Sequence, residues 1–111
     1  MPTQEEIKEF WRYFGWHKSG NWWINSNLHK QRNRLTLNFG NLNKYAIPTL
    51  TNNIATELEI HFDYLPRYDK WNCQLGDGFY EREETKYNLA VATGDTLLLS
   101  FFWAIWKVIN P

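Results

Sequence analysis

Ile7, Phe10, Trp11 and Phe14 recur at i, i+3, i+4 and i+7, so their side chains share one stripe of a helix over about residues 4–14. Thr3 and Glu6 stand where a capping box would open that helix, and Gly15 stands where a left-handed residue would stop it. From Trp16 onward the pattern breaks up. Trp16, Trp22, Trp23 and Ile24 lie among Gly20, Asn21, Asn25 and Asn27, a mixture that predicts turns and short extended pieces. Leu35, Leu37 and Phe39 alternate with Thr36 and Asn38, predicting a short strand that ends at Gly40. Pro48 and Thr51 then introduce a predicted second helix over about residues 52–65, with Ile54, Leu58, His61, Phe62 and Leu65 on one side and Pro66 closing it.

Two further alternations predict strands: Trp71, Cys73, Leu75 and then Tyr87, Leu89, Val91. The turn Gly76-Asp77-Gly78 and the acidic stretch Glu81 to Glu84 would join them as an antiparallel pair. Gly94-Asp95 is expected to cap a third helix over about residues 96–109. That helix is apolar nearly all round, from Leu97 to Ile109, whereas a surface helix needs only one apolar stripe. A second subunit is the economical cover, so a homo-oligomer through the 96–109 helix is expected. The elements together predict an α+β fold, a single-domain α-β-α layered sandwich over residues 1–111 with three helices and a short antiparallel sheet.

The apolar run of 13 residues from Leu97 to Ile109 falls short of the ~20 that a membrane span needs. The N-terminus is polar and acidic, unlike a signal peptide, and a cytoplasmic location is the expectation. Cys73 stands alone, which excludes an internal disulfide framework and a multi-cysteine metal site.

Composition changes this picture in one respect. Aromatic residues make up 18% of the 111 residues, with 7 Trp, 7 Phe and 6 Tyr. So small a core cannot enclose every ring, and some should line a groove, a subunit contact or a ligand site. Charge is balanced overall, with 12 Lys plus Arg and 12 Asp plus Glu, which argues against bulk nucleic-acid binding. The balance conceals an asymmetry. Between Phe10 and Thr56 there is no acid, while Arg12, Lys18, Lys30, Arg32, Arg34 and Lys44 all fall there. Nine of the twelve Asn lie between Asn21 and Asn53.

Catalytic constellations are weak. His17, His29 and His61 lack paired spacing, Cys73 alternates with Trp71 and Leu75 as a buried thiol would, and Glu81, Glu83 and Glu84 read as a solvated run. No enzyme activity and no cofactor is expected. Binding has more support. Trp16, Trp22 and Trp23 precede Lys30, Arg32 and Arg34, and a second interleaved set pairs Arg67 and Lys70 with Tyr64, Tyr68 and Trp71. Indoles stack planar bases and guanidinium forks hold phosphates, so the predicted ligand-binding residues are Trp16, Trp22, Trp23, Lys30, Arg32, Arg34, Arg67 and Lys70. The expected partner is a small anionic, ring-bearing ligand.

An amphipathic helix running into Tyr13-Phe14-Gly15-Trp16, then Ile47-Pro48-Thr49-Leu50-Thr51-Asn52-Asn53-Ile54-Ala55, and a strand passing through Thr93-Gly94-Asp95 into a closing helix resemble the phage ABA sandwich domain family. The resemblance implies an α-β-α layered domain of phage origin and supplies no catalytic residues. Its basic, Asn-rich stretch from Asn25 to Lys44 and its aromatic closing helix depart from the family pattern. For a small phage protein, a role that joins excess rings to basic groups without catalysis is a sponge that sequesters a nucleotide second messenger of a host defence system. The alternatives are a phage accessory homo-oligomer or an inhibitor docking on a host protein, since Trp, Tyr and Arg also dominate protein interfaces. A single-stranded nucleic-acid binder would use the same groups, against a neutral overall charge.

Overall fold

Thr3 and Glu6 close a reciprocal box: the Glu6 backbone N–H donates to Thr3 Oγ1 at 3.1 Å, and the Thr3 N–H donates to Glu6 Oε1 at 2.9 Å. Two otherwise orphaned donors are thereby satisfied, and helix α1 runs Gln4–Tyr13. In this computed structural model, which describes residues 1–54, 57–77 and 89–111, Phe10 and Trp11 on its apolar stripe are fully buried. Gly15 takes φ +90°, the left-handed stop expected from its position. The chain divides into two compact units, Met1–Ala46 and Ile47–Pro111.

The first unit carries a three-stranded antiparallel sheet in the order β1 (Trp16–Ser19), β2 (Trp22–Asn25), β3 (Lys30–Arg32). Ser19 pairs with Trp22, so Gly20 and Asn21 form a two-residue turn, and Gly20 supplies the left-handed φ of +59° that such a turn favours. Asn25 organises the other end. Its Nδ2 donates to the Phe14 carbonyl at 3.1 Å, while its Oδ1 accepts from the N–H groups of Asn27 and Leu28. The helix exit and the β2–β3 turn are thus fixed by one buried amide.

The strand predicted from Leu35 to Phe39 does not form. Leu35 is buried but the backbone there is irregular, and the Asn38 side chain instead accepts from the Asn41 N–H at 2.8 Å. That N-cap opens a short helix α2 (Phe39–Asn41), followed by a π-helical turn Leu42–Ala46 that buries Leu42, Tyr45 and Ala46. The alternation was only three apolar residues long, and a local side-chain hydrogen bond outweighed it.

The second unit begins with helix α3 (Ile47–Asn53) and continues into β4 (Leu58–Leu65), β5 (Lys70–Asp77), β6 (Ala90–Gly94) and helix α4 (Leu97–Ile109). The predicted helix over residues 52–65 is therefore wrong: helix runs Ile47–Asn53, overlapping only its first two residues, and Leu58–Leu65 is a strand. Leu58, His61, Phe62 and Leu65 satisfy a helical period, yet Leu58, Ile60, Phe62 and Tyr64 satisfy a period of two equally well. The second period wins because β5 supplies matching partners, with Ile60 opposite Leu75, Phe62 opposite Cys73 and Tyr64 opposite Trp71. Pro66 falls in the hairpin loop rather than at a helix end.

The sheet order is β4-β5-β6, antiparallel throughout, as expected for the last pair. Gly76 and Asp77 belong to β5, while Gly78, the stretch Glu81 to Glu84 and Tyr87 lie outside the described residues. Helix α4 packs on this sheet through Phe101, whose ring meets Phe62 edge to face at 5.6 Å. Thr96, not Gly94-Asp95, caps it, its hydroxyl accepting from the Leu99 N–H at 3.1 Å. Leu99, Phe101, Phe102, Ala104 and Ile105 are buried, and Trp103, Trp106, Val108 and Ile109 are half-buried. The fold class is α+β, with two small sheets where one was expected. No helix among the described residues is long and apolar enough to cross a membrane.

Candidate functional site

The two units divide the charge as well as the chain. Met1–Ala46 holds seven Lys and Arg against three Glu, a net +4, and Ile47–Pro111 holds five against nine, a net −4. The neutral composition therefore averages a cationic unit with an anionic one.

In the cationic unit, Trp23 pairs with Arg32 across β2 and β3, which ends the sheet at Arg32. Continuing that register carries Asn33 alongside Trp22, so the run Arg32-Asn33-Arg34 passes the exposed indole at the hairpin end. Trp22, Gln31, Arg32, Asn33, Arg34, Thr36, Asn38 and Asn41 line one cleft of about 550 Å³. Trp22 is 48% exposed, which leaves an indole face for a planar group. Arg32 is half-buried and oriented: its Nη1 donates to the Tyr45 hydroxyl at 3.1 Å, and Tyr45 in turn packs edge to face on Trp16 at 5.0 Å. The far wall is stiffened by Asn38, which caps α2, and by Asn41, whose Nδ2 donates to the Thr36 carbonyl at 2.6 Å. Among the described residues no carboxylate lines this cleft or pairs with Arg32 or Arg34.

The predicted binding residues separate into four groups. Trp22, Arg32 and Arg34 come together in this cleft. Trp16 and Trp23 do not offer open faces: Trp16 is fully buried, Trp23 is 8% exposed, and Lys18 Nζ sits 5.8 Å from the Trp23 ring centroid. Lys30 is exposed on β3 and does not line this cleft. Arg67 and Lys70 belong to the second unit. There Arg67 lies over the Tyr68 ring at 5.8 Å, and Lys70 is paired with Asp95, whose carboxyl it holds below the usual carboxylate range through a hydrogen bond.

Two further clefts lie in the cationic unit. One, of about 220 Å³, is lined by Lys8, Arg12, Trp16, His17, Lys18 and Trp23. The lining of the other, of about 290 Å³, includes Lys8, Lys18, Trp23, Asn33, Arg34 and Thr36. Lys8 and Arg12 are not among the binding residues expected from the sequence, where the apolar stripe of α1 is the dominant signal. Their i, i+4 spacing, which stacks two cations on one helix face, was the available signal.

The titratable groups elsewhere suit structure better than chemistry. Burial pushes the Cys73 thiol up to about 12, so it stays protonated and poorly nucleophilic. His61 Nε2 lies 3.0 Å from Asp63 on the exposed side of β4. Among the described residues no group of three or more His, Cys, Asp or Glu is placed to hold a metal ion. The chain matches no known family model, no curated protein and no solved structure.

Proposed function

We propose that the Met1–Ala46 unit holds a nucleotide or a nucleotide-like anion in the cleft walled by Trp22, Arg32 and Arg34, and that the protein sequesters this ligand instead of converting it. One observation carries the reading: an exposed indole and two guanidinium groups free of carboxylate partners among the described residues share one cleft. Its volume falls within the ~300–1,000 Å³ typical of small-molecule sites. Guanidinium forks match phosphate oxygens, an indole stacks any base for about 1–3 kcal/mol, and the Asn33 and Gln31 amides add polar edges. The described lining supplies no carboxylate, imidazole or thiol for proton transfer, which favours capture over turnover. In the phage setting expected from the sequence motifs, capture alone is useful: it removes a nucleotide signal on which a host defence depends.

The test is calorimetry of the full chain against mono- and dinucleotides, with mass spectrometry of ligand released by heat. Binding with recovery of the unchanged nucleotide supports sequestration, and a chemically altered product overturns it. Arg32→Ala combined with Arg34→Ala should leave the melting temperature within a few degrees and weaken binding at least tenfold, the loss of about 1.4 kcal/mol or more. A collapsed melting temperature with unchanged affinity would remove these residues from the site.

A second reading, self-association through α4, is favoured by Trp103 and Trp106, half-buried rings 5.9 Å apart on a helix with no polar stripe. Sedimentation velocity of wild type and Trp106→Glu decides it: a dimer that dissociates in the variant supports the contact, and a wild-type monomer ends it.

A further inference from the structure

These three clefts are not separate. Asn33, Arg34 and Thr36 line both the Trp22 cleft and the intermediate one, and Lys8, Lys18 and Trp23 line both the intermediate cleft and the one beside Arg12. They form one groove with shared walls, running from Trp22 past Arg34 to Lys8, Lys18 and Arg12. Five cations border it, and among the described residues no acid does. Among the described residues Lys8 pairs with Glu5, at 3.5 Å on the exposed helix face, a contact that competes weakly with a phosphate.

A mononucleotide would occupy the Trp22 end and leave Lys8, Lys18 and Arg12 without a phosphate. Successive phosphates on one strand would meet each in turn. The chemistry is also graded along the groove: the stackable indole is at one end, while at the other Lys18 covers the face of Trp23. Base contact is therefore confined to the Trp22 end, and the remainder tracks a backbone. We infer that the ligand is a linear single-stranded oligonucleotide, one base stacked on Trp22 and its following phosphates held by Arg34, Lys18 and Lys8. This rests on the nucleotide reading of the Trp22 cleft and extends it to a chain of phosphodiesters, which the neutral overall composition had argued against.

Quenching of tryptophan fluorescence in the full chain, titrated with adenosine monophosphate, a cyclic dinucleotide and thymidine oligomers of two, four and eight residues, tests it. Affinity should rise at least thirtyfold from the monophosphate to the octamer. The logarithm of the octamer affinity should fall with that of salt concentration at a slope of about −2 to −3, for three to four neutralised phosphates on a single strand. Lys8→Gln combined with Lys18→Gln should weaken the octamer about tenfold or more and make the slope shallower by about 1.4, with the monophosphate affinity unchanged. An octamer that binds no tighter than the monophosphate, or a cyclic dinucleotide that binds tighter than every linear oligomer, would overturn the inference while leaving nucleotide binding at Trp22 intact. Failure of every nucleotide to bind would overturn both. The wild-type salt slope needs no variant, so a misfolded double substitution does not remove the test.

Discussion

Arg32 donates from Nη1 to the Tyr45 hydroxyl at 3.1 Å, tying the last residue of β3 to the π-helical turn. The bond orients a long cation that would otherwise sample many rotamers, at about 0.5–1.5 kcal/mol per side chain when a ligand must order it. Tyr45→Phe removes the acceptor and keeps the ring on Trp16. It should cost about 0.5–1.5 kcal/mol of stability in urea denaturation and weaken nucleotide binding about two- to tenfold by calorimetry. Unchanged affinity would mean that Arg32 is not a ligand contact.

Asn25 is a buried amide with its donor and acceptor both in use, toward Phe14 on one side and Asn27 and Leu28 on the other. Asn25→Ala strands one buried carbonyl and two N–H groups, and should cost about 2–4 kcal/mol in chemical denaturation. Asn25→Asp keeps the acceptors but buries a carboxylate against the Phe14 carbonyl, so it should be no milder at neutral pH. A loss below 1 kcal/mol in both variants would show that the turn holds without this amide.

Helix α1 was legible because four signals agreed: stripe, capping box, stop glycine and length. Strand β5 was legible from Trp71, Cys73 and Leu75 because no helical period competes there. Strand β4 was not, since its apolar residues obey both periods and the deciding information lies in the cross-strand partners of β5. The same limit governs the site. Nothing local distinguishes Trp22 from Trp23, yet adjacent strand positions face opposite ways, leaving one ring 48% and the other 8% exposed. Arg32 and Arg34 were legible as a basic run, but their convergence with Trp22 depends on the β2–β3 register.

Gly94 shows a glycine chosen for space and not for backbone angle. A Cβ at this position would lie 2.5 Å from the Ser100 backbone nitrogen and 2.8 Å from the Leu99 carbonyl carbon, where β6 passes the first turn of α4. Backbone atoms cannot rotate away, so strand and helix must separate. Gly94→Ala should lower stability by about 1–3 kcal/mol, read as a reduced denaturation midpoint with an unchanged slope. A neutral effect would show that the β6–α4 contact is looser than these distances.

Cys73 links this unit to pH. Its thiol is raised from 9.0 to about 12 because burial penalises the thiolate. The sign follows from which state releases the proton first. Below about pH 9 both folded and unfolded chains keep the thiol, and its contribution is fully present. Above that the unfolded chain ionises while the folded one cannot, so the contribution is lost as pH climbs toward 12. Stability of wild type should therefore fall between pH 9 and pH 11 by more than that of Cys73→Ala, after each is referenced to its own value at pH 8. A disulfide reagent at pH 8 should modify the folded chain far more slowly than the urea-unfolded chain, at a rate that rises with denaturant. Rapid labelling in the absence of denaturant would mean that the β4–β5–β6 sheet opens readily and that the thiol is not sealed beneath it.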